Sequence, residues 1–316
     1  MKILITGVAG FIGSHTAERL HSQGHTIVGI DNYSPYYDVN LKKHTAAVLD
    51  SKGITIFSFD LRSKENYAAL PTDFEYIFHF AAQPGIADTC SFEDYLTNNF
   101  IGTNHLLEFA LQNSKLQQFV NIATSSVYGI DASYDETTVP KPVSNYGVTK
   151  LAAEQLVLSF ARDNKLKACS LRLYSVYGPR ERPDKLYPKL IISALSGNAF
   201  TLYEGSEKHL RSFTFIDDIV DGIVSVIGKE SVTNGEIFNL GTDAENSTQD
   251  GISIVEELLD TKIKVSVIAK RAGDQLRTSA VIGKARALLN YNPSTSLKEG
   301  ISKHIEWYKS NPELLK

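Results

Sequence analysis

The chain's 316 residues exceed the roughly 250–300 at which a single core stops growing, and 42% hydrophobic with 22% charged side chains is a globular balance; one large and one smaller unit are expected, without disorder. A formal charge of −4 carries no basic excess, which argues against nucleic acid or an anionic membrane as partner. No run approaches the ~18 apolar residues of a membrane span, and the two distant cysteines, Cys90 and Cys169, lack metal-ligand or redox spacing and suit a reducing cytoplasm.

Short β-rich runs at 3–6, 26–30, 54–59, 76–80, 119–123 and 168–173 alternate with amphipathic stretches at 14–23, 103–112 and 150–164. This βαβ rhythm predicts an α/β fold, a Rossmann-type doubly wound parallel sheet with helices on both faces. After Tyr174 the rhythm loosens into Gly- and Pro-punctuated sequence, with helical patterns at 185–196, 216–227 and 298–308. Residues 1–173 are therefore expected to form the Rossmann-type domain. Residues 174–316 are expected to form a smaller mixed α/β domain over the sheet's carboxyl edge, with some segments returning to the first domain.

Gly7, Gly10 and Gly13 follow the first strand and open the first helix, with Phe11 and Ile12 on the same turn. Without side chains, their backbone N–H groups and the positive helix end can approach a pyrophosphate. Asp31 ends the second strand, where a carboxylate accepts bonds from ribose hydroxyls and repels a 2′-phosphate, favouring NAD over NADP. Its bland alternative is a carboxylate capping the turn at Asn32. Tyr146 and Lys150 are four apart, so on a helix they share a face, and an ammonium near a phenol favours phenolate. Tyr146 is thus expected to have a lowered pKa and to act as a general base. Thr124, expected just past the fifth strand, stands where open α/β sheets bind ligands.

Taken together, the GxxGxxG turn, Ala123-Thr124-Ser125-Ser126-Val127-Tyr128-Gly129 and Pro142-x-Ser144-x-Tyr146-Gly147-x-x-Lys150 resemble the extended short-chain dehydrogenases/reductases of the NAD-dependent epimerase/dehydratase family. The resemblance covers essentially the whole chain. It implies an NAD enzyme acting on a nucleotide-linked sugar, with Thr124, Tyr146 and Lys150 catalytic. It further implies that Asn32, Asp60 and Leu61 contact the adenosine end and that Ala81, Ala82 and Gln83 form the nicotinamide-side loop. Asn99 and Tyr174 match cofactor positions, although Asn99 reads better as a buried structural asparagine, and Tyr128 reads as packing. Arg211, in Arg211-Ser212-Phe213-Thr214-Phe215-Ile216-Asp217-Asp218, matches a nucleoside diphosphate contact, as do Arg271 and Asp274 in Arg271-Ala272-Gly273-Asp274. Ser212 replaces the family's aspartate. Relatives are commonly homodimers that pack helices, here within 95–112 and 146–164.

Dehydratases of this family carry Asp-Glu after the catalytic threonine, whereas this chain has Ser125 and Ser126, which titrate at no ordinary pH. Elimination lacks its acid and base, so 4-epimerisation through a transient 4-keto sugar is expected. The segments 31–42 and 178–184 look like those of epimerases acting on UDP-glucuronate, with Arg182 holding the sugar carboxylate beside Gln83, Thr124, Ser125, Ser126 and Ser175. Ala87, where many such enzymes carry Arg, departs from that pattern, as does Ser175 in place of Thr. UDP-glucose or UDP-N-acetylglucosamine 4-epimerisation remains the alternative within enzymes, and an NAD-binding regulatory protein the alternative outside them.

Overall fold

The computed structural model describes residues 1–85, 89–269 and 277–315. Strands β1 (Lys2–Thr6), β2 (Thr26–Asp31), β3 (Thr55–Ser58), β4 (Tyr76–His79), β5 (Gln118–Thr124) and β6 (Ala168–Leu173) join a returning strand, Ile237–Leu240, in one seven-stranded sheet. Its order is Ile237–Leu240, β6, β5, β4, β1, β2, β3, and every pairing is parallel. The α/β prediction is met. Both faces are buried, because alternate side chains leave a strand on opposite sides. Ile3, Ile5, Val120 and Ile122 enter one core, whereas Leu4, Ile77 and Phe119 enter the other.

Helices α1 (Phe11–Ser22), α2 (Val39–Ser51), α3 (Phe92–Tyr95), α4 (Gly102–Ala110) and α5 (Asn145–Arg162) belong to the first half of the chain. Six π-helical residues, Leu96–Ile101, join α3 to α4. Helix α5 starts earlier than its apolar periodicity suggests, because Ser144 accepts a bond from the Gly147 N–H at 3.1 Å and caps it. Tyr146 is therefore in its first turn.

Later elements sit over the carboxyl end of the sheet. Helix α6 (Leu186–Ser196), the helices Thr248–Leu259 and Leu297–Ser310, and three small sheets enclose a third core that includes Tyr187, Leu190, Phe215 and Ile301. Helix α7 (Ile216–Val224) spans the seam: Ile219 and Ile223 enter the first core, Ile216 and Val220 the third. Among the described residues no helix is long and apolar enough to cross a membrane.

His79 and His304 are buried in the fold, and His15 is partly buried. His79 bonds Thr6 and Thr103, and His15 bonds the Pro179 carbonyl at 2.9 Å. Neither nitrogen of His304 has a partner among the described residues. Burial chiefly lowers their pKa values, to about 3 for His79 and His304 and about 4 for His15. A lowered histidine leaves the unfolded chain binding the extra proton, so stability is complete above pH 6.5 and lost as pH falls below it. Each site should cost about 2 kcal/mol at pH 5. Glu181, raised by burial, acts in the opposite sense, so the effect is best read as a difference. Between pH 7.5 and 5, His304→Leu should gain about 2 kcal/mol on the wild type in denaturant melts. A constant difference would show that His304 is not neutral in the fold.

Candidate active site

The strand order reverses between β1 and β4, whose connections leave in opposite directions and open a cleft at the carboxyl ends. The cleft measures about 690 Å³, within the range of small-molecule sites. At one end the glycine turn is crowded by backbone. Gly7 has φ +69°, and a Cβ there would come within 2.9 Å of the Ala81 nitrogen; one on Gly13 would come within 2.4 Å of the Gly7 oxygen. Phe11 and Ile12 line the same wall. This is a cradle that side chains would fill, and its residues fit a dinucleotide pyrophosphate.

Asp31 is buried at the end of β2, where it accepts from the Ala9 N–H at 3.0 Å and the Tyr33 N–H at 2.8 Å. Burial raises its pKa and these backbone bonds oppose the rise. The turn-capping role is thus present, and the residue also lines the cleft. Asn32 donates to Asp60 at 2.9 Å, and Arg62 grips both oxygens of Asp60 at 2.9 and 2.7 Å. The Arg62 bonds bring the Asp60 carboxyl down to about 2. Leu61 completes this end.

Toward the middle, Ala81, Ala82 and Gln83 continue β4 along the cleft. Asn99 differs from its expected cofactor position. It is buried and does not line the cleft; its side chain accepts from the Gln83 N–H at 2.7 Å and donates to Thr149 at 3.1 Å, tying the loop to α5. Tyr174 lines the cleft, but its hydroxyl is directed to the Tyr134 carbonyl at 3.4 Å.

Thr124 ends β5 rather than following it, and its hydroxyl accepts from the Ser126 N–H at 3.1 Å. The same hydroxyl donates to Ser126 Oγ at 3.2 Å, and its side chain acts on the pKa of the Tyr146 phenol, which lines the same cleft. Lys150, buried one helical turn farther along α5, donates to the Ile122 carbonyl at 2.6 Å. Ser125, Ser126 and Ser175 line the adjacent wall. The expected lowering of the Tyr146 pKa is not found: burial raises it, and the opposing influences are the Thr124 side chain and then the Arg182 charge. Lys150 is itself lowered to about 8, because burial outweighs the attraction of Glu154. Desolvation is the largest influence on both groups, and neither is among the resolved influences on the other.

At the far end Arg182 is buried, and Arg211 and Phe213 line the wall. Arg182 donates to the Pro84 carbonyl at 3.3 Å and to Asp184 at 3.0 Å. Arg180 faces elsewhere, binding Glu18 at 2.8 Å. The Ser212 hydroxyl is buried without a partner among the described residues, so the bond an aspartate would make has no replacement there. Arg271, Asp274 and Ala87 lie outside the described residues. Individual roles for Tyr36, Tyr37, Lys42, Arg62 and Lys185, which also line the cleft, were not apparent from the sequence. The one available signal was the paired tyrosines in the 31–42 segment.

The profile of the NAD dependent epimerase/dehydratase family matches residues 3–241. The chain is 37% identical over 315 residues to a Bacillus subtilis protein named "Uncharacterized UDP-glucose epimerase YtcB", covering 98% of both. It is 32% identical over 330 residues to UDP-glucuronate 4-epimerase 2 of Arabidopsis thaliana, covering 98% of this chain and 76% of that one. The solved UDP-glucuronic acid 4-epimerase of Bacillus cereus, in complex with UDP-glucuronic acid and NAD, superimposes with a TM-score of 0.91 at 34% identity, covering 98% of this chain and 100% of that one. With the glycine cradle, the reversal of strand order and a profile match across most of its length, the chain belongs to the NAD dependent epimerase/dehydratase family.

Proposed function

We propose that the chain is an NAD-dependent UDP-sugar 4-epimerase whose preferred pair is UDP-glucuronate and UDP-galacturonate. The observation carrying this reading is the convergence of Thr124, Tyr146 and Lys150 on the cleft beside the glycine turn. NAD, when bound, supplies the acceptor and donor of hydride at sugar C4. Tyr146 takes the proton of the C4 hydroxyl through Thr124 and returns it to the new hydroxyl, while Lys150 holds positive charge on the phenol's helix face. Ser125 and Ser126 offer neither acid nor base for elimination, so the 4-keto sugar keeps its C6 substituent.

Arg182 supports the uronate assignment, because it is a buried guanidinium lining the same cleft as Tyr146. A 4-keto uronate is a β-keto acid that loses carbon dioxide when its C5–C6 bond stands perpendicular to the ketone. A carboxylate anchored by Arg182 and the hydroxyls of Ser125, Ser126 and Ser175 is held from that angle. UDP-glucose is the second reading, favoured by the name of the Bacillus subtilis relative. Two copies are proposed to pair through 95–112 and 146–164, where Ile101, Leu111 and Val148 stand exposed.

Incubating the NAD-loaded protein separately with UDP-glucuronate, UDP-glucose and UDP-N-acetylglucosamine, and resolving products by chromatography, tests the assignment. UDP-galacturonate should form fastest, with no pentose product. Turnover of only the neutral sugars would discard the uronate reading and retain epimerisation.

A further inference from the structure

The face of the Tyr36 ring lies 5.0 Å from the centre of the Arg182 guanidinium. Arg182's hydrogen-bond partners are the Pro84 carbonyl and the carboxylate of Asp184, which is about half exposed. A carboxylate in water contributes little to fixing a guanidinium, whereas an aromatic face sets the plane of the fork. Gly85 lets the guanidinium pack closely against the chain there, since a Cβ would come within 3.0 Å of Nη2.

Tyr36 is itself held from both ends of its loop. Asp31 and Asn32 accept from the backbone of Tyr33 and Ser34, at 2.8 and 3.0 Å. Lys42, from α2, donates to the Ser34 carbonyl at 2.8 Å and lies 4.5 Å from the Tyr37 ring centre. Asp38 caps α2 by accepting from the Asn40 N–H. A loop anchored at the end of β2 therefore presents an aromatic face to a residue almost 150 positions later.

From this juxtaposition we infer that Tyr36 is a positioning residue: it orients Arg182 so that the site favours a sugar bearing a carboxylate over a neutral one. The inference rests on the proposed uronate role of Arg182. It adds that selectivity is set partly from the β2–α2 loop, outside the segment that carries the arginine.

The test measures Kd for UDP-glucuronate and UDP-glucose by calorimetry on NAD-loaded protein, in a Tyr146→Phe background so that turnover does not disturb the titration. Tyr36→Leu should weaken UDP-glucuronate about fivefold and leave UDP-glucose within about twofold, and Tyr36→Phe should restore most of the loss. In an Arg182→Ala background, Tyr36→Leu should have no further effect on the uronate. Equal weakening of both ligands, or an undiminished effect without Arg182, would overturn the proposal and assign Tyr36 to loop structure alone. If the Tyr36-containing protein binds UDP-glucuronate no better than UDP-glucose, the carboxylate role of Arg182 fails first and the proposal falls with it.

Discussion

Tyr146→Phe should fold, retain NAD and UDP-sugar, and turn over about a thousandfold more slowly than the wild type, the magnitude typical of removing a positioned acid-base group. The substitution deletes one oxygen and leaves the ring, in the first turn of a helix whose cap is Ser144 and not the tyrosine. The Thr124 hydroxyl, whose side chain acts on the phenol, keeps both its bonds to Ser126 when the phenol oxygen is lost. No buried charge is stranded, so the loss should appear in kcat with little change in melting temperature. Turnover within tenfold of wild type would remove Tyr146 from the role of base.

Glu154→Ala should cost about 3–5 kcal/mol of stability, because it leaves the Arg172 guanidinium buried and uncompensated. Both residues are essentially inaccessible, at 0% and 1% exposure. Glu154 receives Arg172 Nε at 3.0 Å and Nη2 at 2.6 Å, and also the Ser170 hydroxyl at 3.1 Å. Arg172 then reaches Tyr128, whose hydroxyl donates to Asn239 on the returning strand. One carboxylate thus links α5, β6 and the outer edge of the sheet. Lys150, one turn earlier, depends on the same charge, since Glu154 is what opposes the lowering of its pKa by burial. Thermal melts should fall by about 5–10 °C, and the residual activity should lose its alkaline limb at lower pH as Lys150 deprotonates earlier. A melt unchanged within 2 °C would mean that Arg172 finds another partner, contrary to the contacts described.

The parts of this protein legible from sequence are those fixed by local pattern. Alternating apolar runs located six parallel strands, and Gly7, Gly10 and Gly13 marked a turn that admits no Cβ. Helix α2 escaped because its first two turns, from Val39 to His44, carry polar residues with little apolar stripe. The π-helical turn Leu96–Ile101 has no sequence signature; it is identified only by its hydrogen bonding. The direction of the Tyr146 shift was misjudged for a related reason: spacing puts an ammonium near a phenol but says nothing of how deeply either is desolvated. Arg182 was read from its motif, whereas the aromatic face beside it belongs to a distant loop, and only the folded chain brings them together.

The strand Ile237–Leu240 pairs with Ser170–Leu173 on the outer side of β6, which is buried at every position. Severing the chain after Leu173 would strip that neighbour away and expose a row of unsatisfied amides and carbonyls flanked by apolar side chains, an adhesive border for other chains. The nucleotide-cradling half is thus not a detachable module: the polypeptide must travel out to the sugar end and come back before its first sheet is complete.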